Sequence, residues 1–319
     1  MSKPPTPAAE PAHAPALTVP PAGKVVPIGD GPEGVVVGSS GTGAVAVRNP
    51  DGIALFDAAT GVVRQRIPTR GSARHLELAG ADGPVLVPLE ASNELSEVVL
   101  GDGRVLSTVT GVGRQPHDAA LTSGGTVVVT SEMGGGVVFV ADGQVVGSLA
   151  AGPVQPGGVA TVGRYAAVAD VQGNGVWVYD GSTRQQVAQA PVGVKLTHAV
   201  GLSGDLAAFA DTDGGAVLID RINPQITQVA RVDAPGNPYG LAYDAQRHRL
   251  FVTLTASNIL RVVDLADPGA PRVLGGIPTV AQPNSVAVDP RSGAVLVTGT
   301  DSDGRGSLQI VTADLLPSA

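Results

Sequence analysis

Seven copies of one short phrase recur along the 319 residues, and this repeat constrains the fold more than any other feature. The phrase is a Pro or other small residue, a polar residue, a small residue and then a hydrophobic pair. Copies begin at Pro32, Ala73, Pro116, Pro156, Thr197, Pro238 and Pro283, so the intervals are 41, 43, 40, 41, 41 and 45 residues. Their mean, (283 − 32)/6 or about 42, falls in the period of roughly 40 to 50 residues expected for a four-stranded propeller blade.

Each copy carries the same internal order of signals, shown most clearly by the third. After His117 and Asp118 come an apolar run (residues 119–121), a Ser-Gly-Gly turn, a β-branched run (126–130), a Gly-rich turn, a second run (137–140) and an Asp142-Gly143 hairpin into residues 144–149. Four strands with Gly or Asp where positive φ is needed follow from this order. The runs alternate apolar and polar residues with period 2, which cannot present a helical apolar face. The 44 glycines suit about 28 strands joined by tight turns. With aromatics at only 3%, the blades must pack mainly through Val, Leu, Ile and Ala.

The seventh copy lacks a fourth strand: after residues 285–288, 294–298 and 308–311 it ends in Leu315-Leu316-Pro317. The run at residues 24–28 (KVVPI) precedes the first anchor as residues 144–149 precede the fourth, so the N-terminal strand is expected to complete the last blade. Pairing the two chain ends removes an exposed sheet edge. The expected architecture is all-β: one seven-bladed β-propeller of four-stranded blades over residues 23–319, behind a disordered Pro- and Ala-rich tether at residues 1–22.

The phrases Pro283-Asn284-Ser285-Val286-Ala287-Val288 with Val295-Leu296-Val297-Thr298, and Pro238-Tyr239-Gly240-Leu241-Ala242-Tyr243 with Leu250-Phe251-Val252-Thr253, resemble the repeats of the bacterial YVTN propellers. The resemblance covers residues 24 to 314 and implies the fold more than an activity. Similar propellers serve as surface proteins, binding proteins, lyases, lactonases and metallochaperones.

A net charge of −8, with its 20 Lys and Arg scattered singly, argues against nucleic acid, which needs a basic face to neutralise phosphates. No run approaches the 18 to 20 apolar residues of a membrane span. Residues 2–7 (SKPPTP) resemble the leash that follows the acylated Cys of bacterial lipoproteins, with Met1 in the place of that Cys. The chain is therefore expected to be an extracytoplasmic monomer that meets a membrane only through a lipid anchor. The absence of Cys is compatible with export.

In a propeller the first strand of each blade lines the central channel, so residues just after the anchors form rings near one mouth. The first ring reads Glu33, Arg74, His117, Gly157, His198, Tyr239 and Asn284, and the second Gly34, His75, Asp118, Gly158, Ala199, Gly240 and Ser285. Three of the five histidines fall in these 14 positions. Glu33, Arg74, His75, His117, Asp118, His198, Tyr239 and Asn284 are thus the expected ligand-binding residues, for a small molecule, a metal ion or a protein.

His117, His198, Asp118 and His75 form a candidate zinc set, because imidazole and carboxylate suit that ion, with His13 of the tether as a further ligand. Such a set would make the protein a zinc-binding chaperone. A streptogramin-lyase-like or lactonase-like enzyme would instead use His117 or His198 with Glu132 or Asp118 for acid–base work. Nothing in the residues requires catalysis, and the leading expectation is a non-enzymatic binding propeller. The Asp-x-Asp-Gly turns at Asp211 and Asp301 are expected to be Asx-capped turns.

Overall fold

The computed structural model describes residues 10–318; Met1 and the leash at residues 2–7 lie outside the described residues. Seven four-stranded antiparallel sheets follow one another around a ring. The first strand in chain order, β1 (Lys24–Pro27), belongs to the last blade. Blade 1 is β2 to β5 (Val35–Val37, Thr42–Val47, Gly52–Asp57, Val63–Pro68) and blade 2 is β6 to β9 (Glu77–Leu78, Val85–Leu89, Glu94–Val98, Val105–Thr110). Blade 3 is β10 to β13 (Pro116–Leu121, Val127–Ser131, Val137–Ala141, Gln144–Leu149) and blade 4 is β14 to β17 (Pro156–Val162, Tyr165–Asp170, Gly175–Asp180, Gln185–Pro191). Blade 5 is β18 to β21 (Leu196–Gly201, Leu206–Asp211, Ala216–Asn223, Gln225–Asp233) and blade 6 is β22 to β25 (Pro238–Asp244, Arg249–Leu254, Ile259–Asp264, Arg272–Pro278). Blade 7 is β26 to β28 (Ser285–Val288, Val295–Thr300, Gly306–Val311) with β1 as its outer strand.

The expected closure is therefore present: Lys24 to Pro27 pair antiparallel with Ile310 to Ser307. Two 3-10 turns, at Thr255–Ser257 and Ala313–Leu315, are the helical elements among the described residues. None is long and apolar enough to cross a membrane.

The core is divided among seven clusters, one at each interface between neighbouring blades. Val, Ala, Leu and Ile fill most of it, as the low aromatic content requires. All four phenylalanines, Phe56, Phe139, Phe209 and Phe251, are spent on these interfaces and are fully buried. Inner strands are buried on both faces, whereas outer strands such as β9 and β13 alternate toward solvent.

The innermost strands carry a β-bulge just after the anchor, in blade 3 between Pro116 and Ala119, in blade 4 between Pro156 and Val159, and in blade 6 between Pro238 and Leu241. A bulge inserts an extra residue and re-aims its side chain. In blades 3, 4 and 6 the ring residues sit on these bulges. Glycines recur beside them because inner strands approach closely. A Cβ at Gly34 would lie 2.6 Å from Leu76 N, and one at Gly158 2.6 Å from Ala199 N.

Candidate functional site

The rings form one buried assembly, but its members divide into three roles. Four aromatic rings run across the channel in a continuous stack of tilted and, at Tyr239, edge-on contacts. His117 lies 4.5 Å from His75, His75 4.1 Å from His198, and His198 4.2 Å from Tyr239, centroid to centroid. His75 of blade 2 thus fills the gap between His117 and His198 that the blade spacing creates. The stack divides the channel. On its far side lies a cavity of about 220 Å³ containing Glu77 and walled by Val36, Leu78, Leu241 and Val286.

Two of the expected ligand groups fasten blades together. Asp118 accepts hydrogen bonds from Ala119 N and, across the blade boundary, from Val159 N, both at 2.9 Å. Asn284 donates to Pro32 O at 3.0 Å and accepts from Thr298 Oγ1 at 2.8 Å, joining blade 7 to blade 1. Their polar atoms are committed to the ring itself. Asp170 and Asp211 cap turns in the same way: each accepts backbone N–H groups, from Val154, Gln155 and Gly173 and from Val194, Lys195 and Gly214. Asp301 accepts from Asp303 N and Arg305 N.

The remaining residues build a charged cluster at the mouth where the inner strands begin. Arg74 is 7% exposed, and its Nε lies 2.9 Å from Glu90 Oε1 as an ion pair without hydrogen-bond alignment. Its two terminal nitrogens hold both carboxylate oxygens of Glu10, one of them at 2.9 Å. Arg48 faces Glu33 at 3.3 Å. Below them, His117 Nδ1 lies 3.4 Å from Glu132 Oε2 and 3.8 Å from Glu90 Oε1. Gln115 and Gln155 donate to the two oxygens of Glu132 at 3.1 and 2.9 Å.

Burial and charge set the protonation of these groups. Burial drives the His75 and His198 imidazoles well below their ordinary pKa, with His198 and His117 adding repulsion, so both are neutral at pH 7. Burial acts the same way on His117, but the Glu132 and Glu90 carboxylates outweigh it and push that imidazole up to about 10. Burial raises the Glu33 carboxyl, while the hydrogen bond from Arg74 lowers that of Glu10. On the far side of the stack, burial raises Asp118 to about 6 and Glu77 to about 8.

The candidate zinc set His75, His117, His198 and Asp118 is thus assembled as a stack of rings and an inter-blade fastener. Among the described residues, the trio of potential metal ligands whose atoms all lie within 4.8 Å of one another is instead Glu90, His117 and Glu132. His13 is exposed and stands outside that trio.

Glu90 lay outside the two rings read from the sequence, and Glu132 entered there only as a possible acid. Both residues begin the turn after the second strand of their blade. There their N–H groups bond back to the residue before the anchor phrase, Glu90 to Ser72 O and Glu132 to Gln115 O. Val171, Thr212 and Thr255 repeat that bond to Gln155, Lys195 and Asn237, which puts the blade 5 anchor at Leu196, one residue before the Thr197 read from the sequence, and moves His198 from the first ring to the second, level with His75 and Asp118. A third ring was therefore available from the same repeat, one position beyond the second strand in these five blades.

Residues 10–22, which form neither helix nor strand, lie against this mouth. Gln282, in left-handed conformation, accepts from Ala14 N at 2.7 Å and donates to Ala12 O, and Asn258 donates to Pro15 O at 2.8 Å. Further on, Ala22 N donates to Pro278 O and Ala22 O accepts from Gln309. A cleft of about 770 Å³ remains between Glu10, His13, Leu17, Glu33 and Thr300.

No protein-family model matches the sequence, and no curated protein matches it. Solved structures do match the fold. A hydrazine synthase from Kuenenia stuttgartiensis aligns over 96% of this chain and 100% of its own, with a TM-score of 0.75 at 15% identity. U3-55K aligns over 92% of this chain and 100% of its own (TM-score 0.78, 15% identity). Virginiamycin B lyase from Staphylococcus aureus aligns over 90% and 98% (TM-score 0.73, 13% identity). At these identities the likeness establishes the propeller and nothing of its chemistry.

Proposed function

We propose that this propeller is a non-catalytic binding protein whose channel mouth receives an extended chain segment bearing a carboxylate. The observation that carries the reading is the two-pronged grip of buried Arg74 on the Glu10 carboxylate. A guanidinium held by a second acid presents a planar fork matched to an incoming carboxylate, and its burial strengthens the pairing. The other contacts favour a peptide over a small acid. Gln282 and Asn258 bond main-chain groups of Ala12, Ala14 and Pro15, so they read an extended backbone whatever its side chains. Residues 10–15 are then an internal occupant that a partner's segment replaces.

The leash-like composition of residues 1–22 and the YVTN-like repeats support a place outside the cytoplasmic membrane, which cell fractionation tests. Binding is tested with a fluorescein-labelled peptide of residues 7–17 (PAAEPAHAPAL), titrated into the full chain and its variants. Glu10→Ala should bind the peptide at least tenfold more tightly than the parent, because the internal competitor is weakened. Binding should vanish in Glu10→Ala/Arg74→Ala and for a peptide with Gln in place of Glu. No binding to Glu10→Ala, or binding indifferent to Arg74, overturns the reading.

A further inference from the structure

We propose that Glu90, His117 and Glu132 form a binding site for a divalent cation of the zinc class, beside Arg74 and deeper than the segment that covers the mouth. Three observations converge on it. The first is spacing. A tetrahedral zinc with bonds of about 2.0–2.2 Å holds its ligand atoms about 3.4 Å apart. His117 Nδ1 stands 3.4 Å from Glu132 Oε2 and 3.8 Å from Glu90 Oε1.

The second is an unmet need. His117 is fully buried, and neither of its ring nitrogens makes an aligned hydrogen bond. Buried polar atoms are ordinarily satisfied, and an unsatisfied one costs about 1–3 kcal/mol. The imidazole thus faces two carboxylates at charge-attraction distance without the geometry of a hydrogen bond, an arrangement that a metal ion between them resolves.

The third is orientation. Ligating carboxylates and imidazoles are typically held by outer partners. Gln115 and Gln155 fix the two oxygens of Glu132, while Oε1 of Glu90, like the His117 nitrogens, has no aligned hydrogen bond and meets Arg74 only as an ion pair at 2.9 Å. One imidazole with two carboxylates is a donor set that zinc accepts. Three protein ligands leave one tetrahedral position for water or for an atom of whatever occupies the mouth. The site differs from a stack-based one, because His75 and His198 supply no ligand to it.

The test is a calorimetric titration of zinc into the full chain after chelator treatment and dialysis, with cobalt absorption as a second readout. We expect one ion per chain, visible bands characteristic of tetrahedral cobalt, and a zinc-dependent rise in Tm. Glu90→Gln, Glu132→Gln and His117→Ala should each weaken binding at least tenfold, whereas His198→Ala should leave it unchanged. The Gln variants keep side-chain shape, and their circular dichroism must match the parent. Absence of zinc binding, or binding that survives both Gln variants, overturns the proposal and leaves the trio as an ion pair only. The peptide titration stands apart from this result, since Arg74→Ala abolishes that binding whether or not zinc is retained.

Discussion

Arg74 and Glu10 meet guanidinium to carboxylate although 64 positions separate them in the chain. That pair joins the N-terminal segment to the ring at the point where the channel opens. Ala12, Ala14 and Pro15 are held by main-chain bonds to the amide side chains of Gln282 and Asn258, so the Arg74–Glu10 pair is the charge-dependent part of the attachment.

Docking of the segment should therefore depend on pH. The hydrogen bond from Arg74 holds the Glu10 carboxyl below its ordinary value of 4.5, with Arg48 assisting and Glu132 opposing. A group whose pKa is depressed by an interaction contributes that interaction fully above its free pKa and loses it as pH falls through the lowered value. The segment should stay docked at pH 7 and loosen as the pH falls below 4.5. Because the chain has no Cys, a spin label at His13→Cys is unique. Its spectrum should sharpen on acidification, and Glu10→Gln should give the sharpened spectrum already at pH 7.

Glu77 should make the ring less stable in alkali. Burial first, and the Asp118 charge second, raise its carboxyl to about 8. The folded state then holds the proton more tightly than the unfolded one, so this contribution is complete below the unfolded carboxyl pKa and lost as pH rises toward 8. Glu77→Gln should flatten the fall in Tm between about pH 5 and pH 8 and be more stable above it by about 1–2 kcal/mol. This is less than the full shift implies, because the side chain is only partly buried. A Tm profile parallel to that of the parent would contradict the assignment.

Asp118 should behave as a fastener between blades. Removing its carboxylate strands the Val159 N–H in a dry interface, at a cost of about 1–3 kcal/mol. Asp118→Ala should lower stability by that amount in urea unfolding and leave zinc affinity unchanged. Loss of zinc binding in a folded Asp118→Ala variant would return Asp118 to the ligand set.

Closure should carry much of the stability. Deleting residues 10–27 removes β1 and leaves β28 as an exposed edge. Such an edge invites association. The truncated chain should unfold at lower urea than the parent and aggregate in size-exclusion chromatography.

Much of the architecture was legible because it repeats. Anchors about 42 residues apart, period-2 runs and Gly or Asp turns recur seven times, so each weak local signal was corroborated by six others. The missing strand of blade 7 could be counted, and the spare run at residues 24–28 supplied it. The same repeat placed Arg74, His75, His117 and His198 at the channel. It did not reveal that Asp118 and Asn284 spend their polar atoms on neighbouring blades, because a ring position says where a Cβ lies and not which backbone N–H or carbonyl comes within 3 Å of the side chain.

Residue order and periodicity thus determined by themselves the strand count, the ring and its closure, since these depend on local turn geometry and on burying alternate side chains. Only the tertiary structure decided the site. Glu132 meets His117 because β10 and β11 pair within blade 3, Glu90 reaches both from the turn after β7 of blade 2, and the rings of His75, His117 and His198 meet although they come from three blades. Glu10, inside a Pro- and Ala-rich run without periodicity, meets the buried Arg74 through charge at the mouth while its own side chain stays more than half exposed, an interaction that depends on distance in space and leaves no trace in sequence spacing.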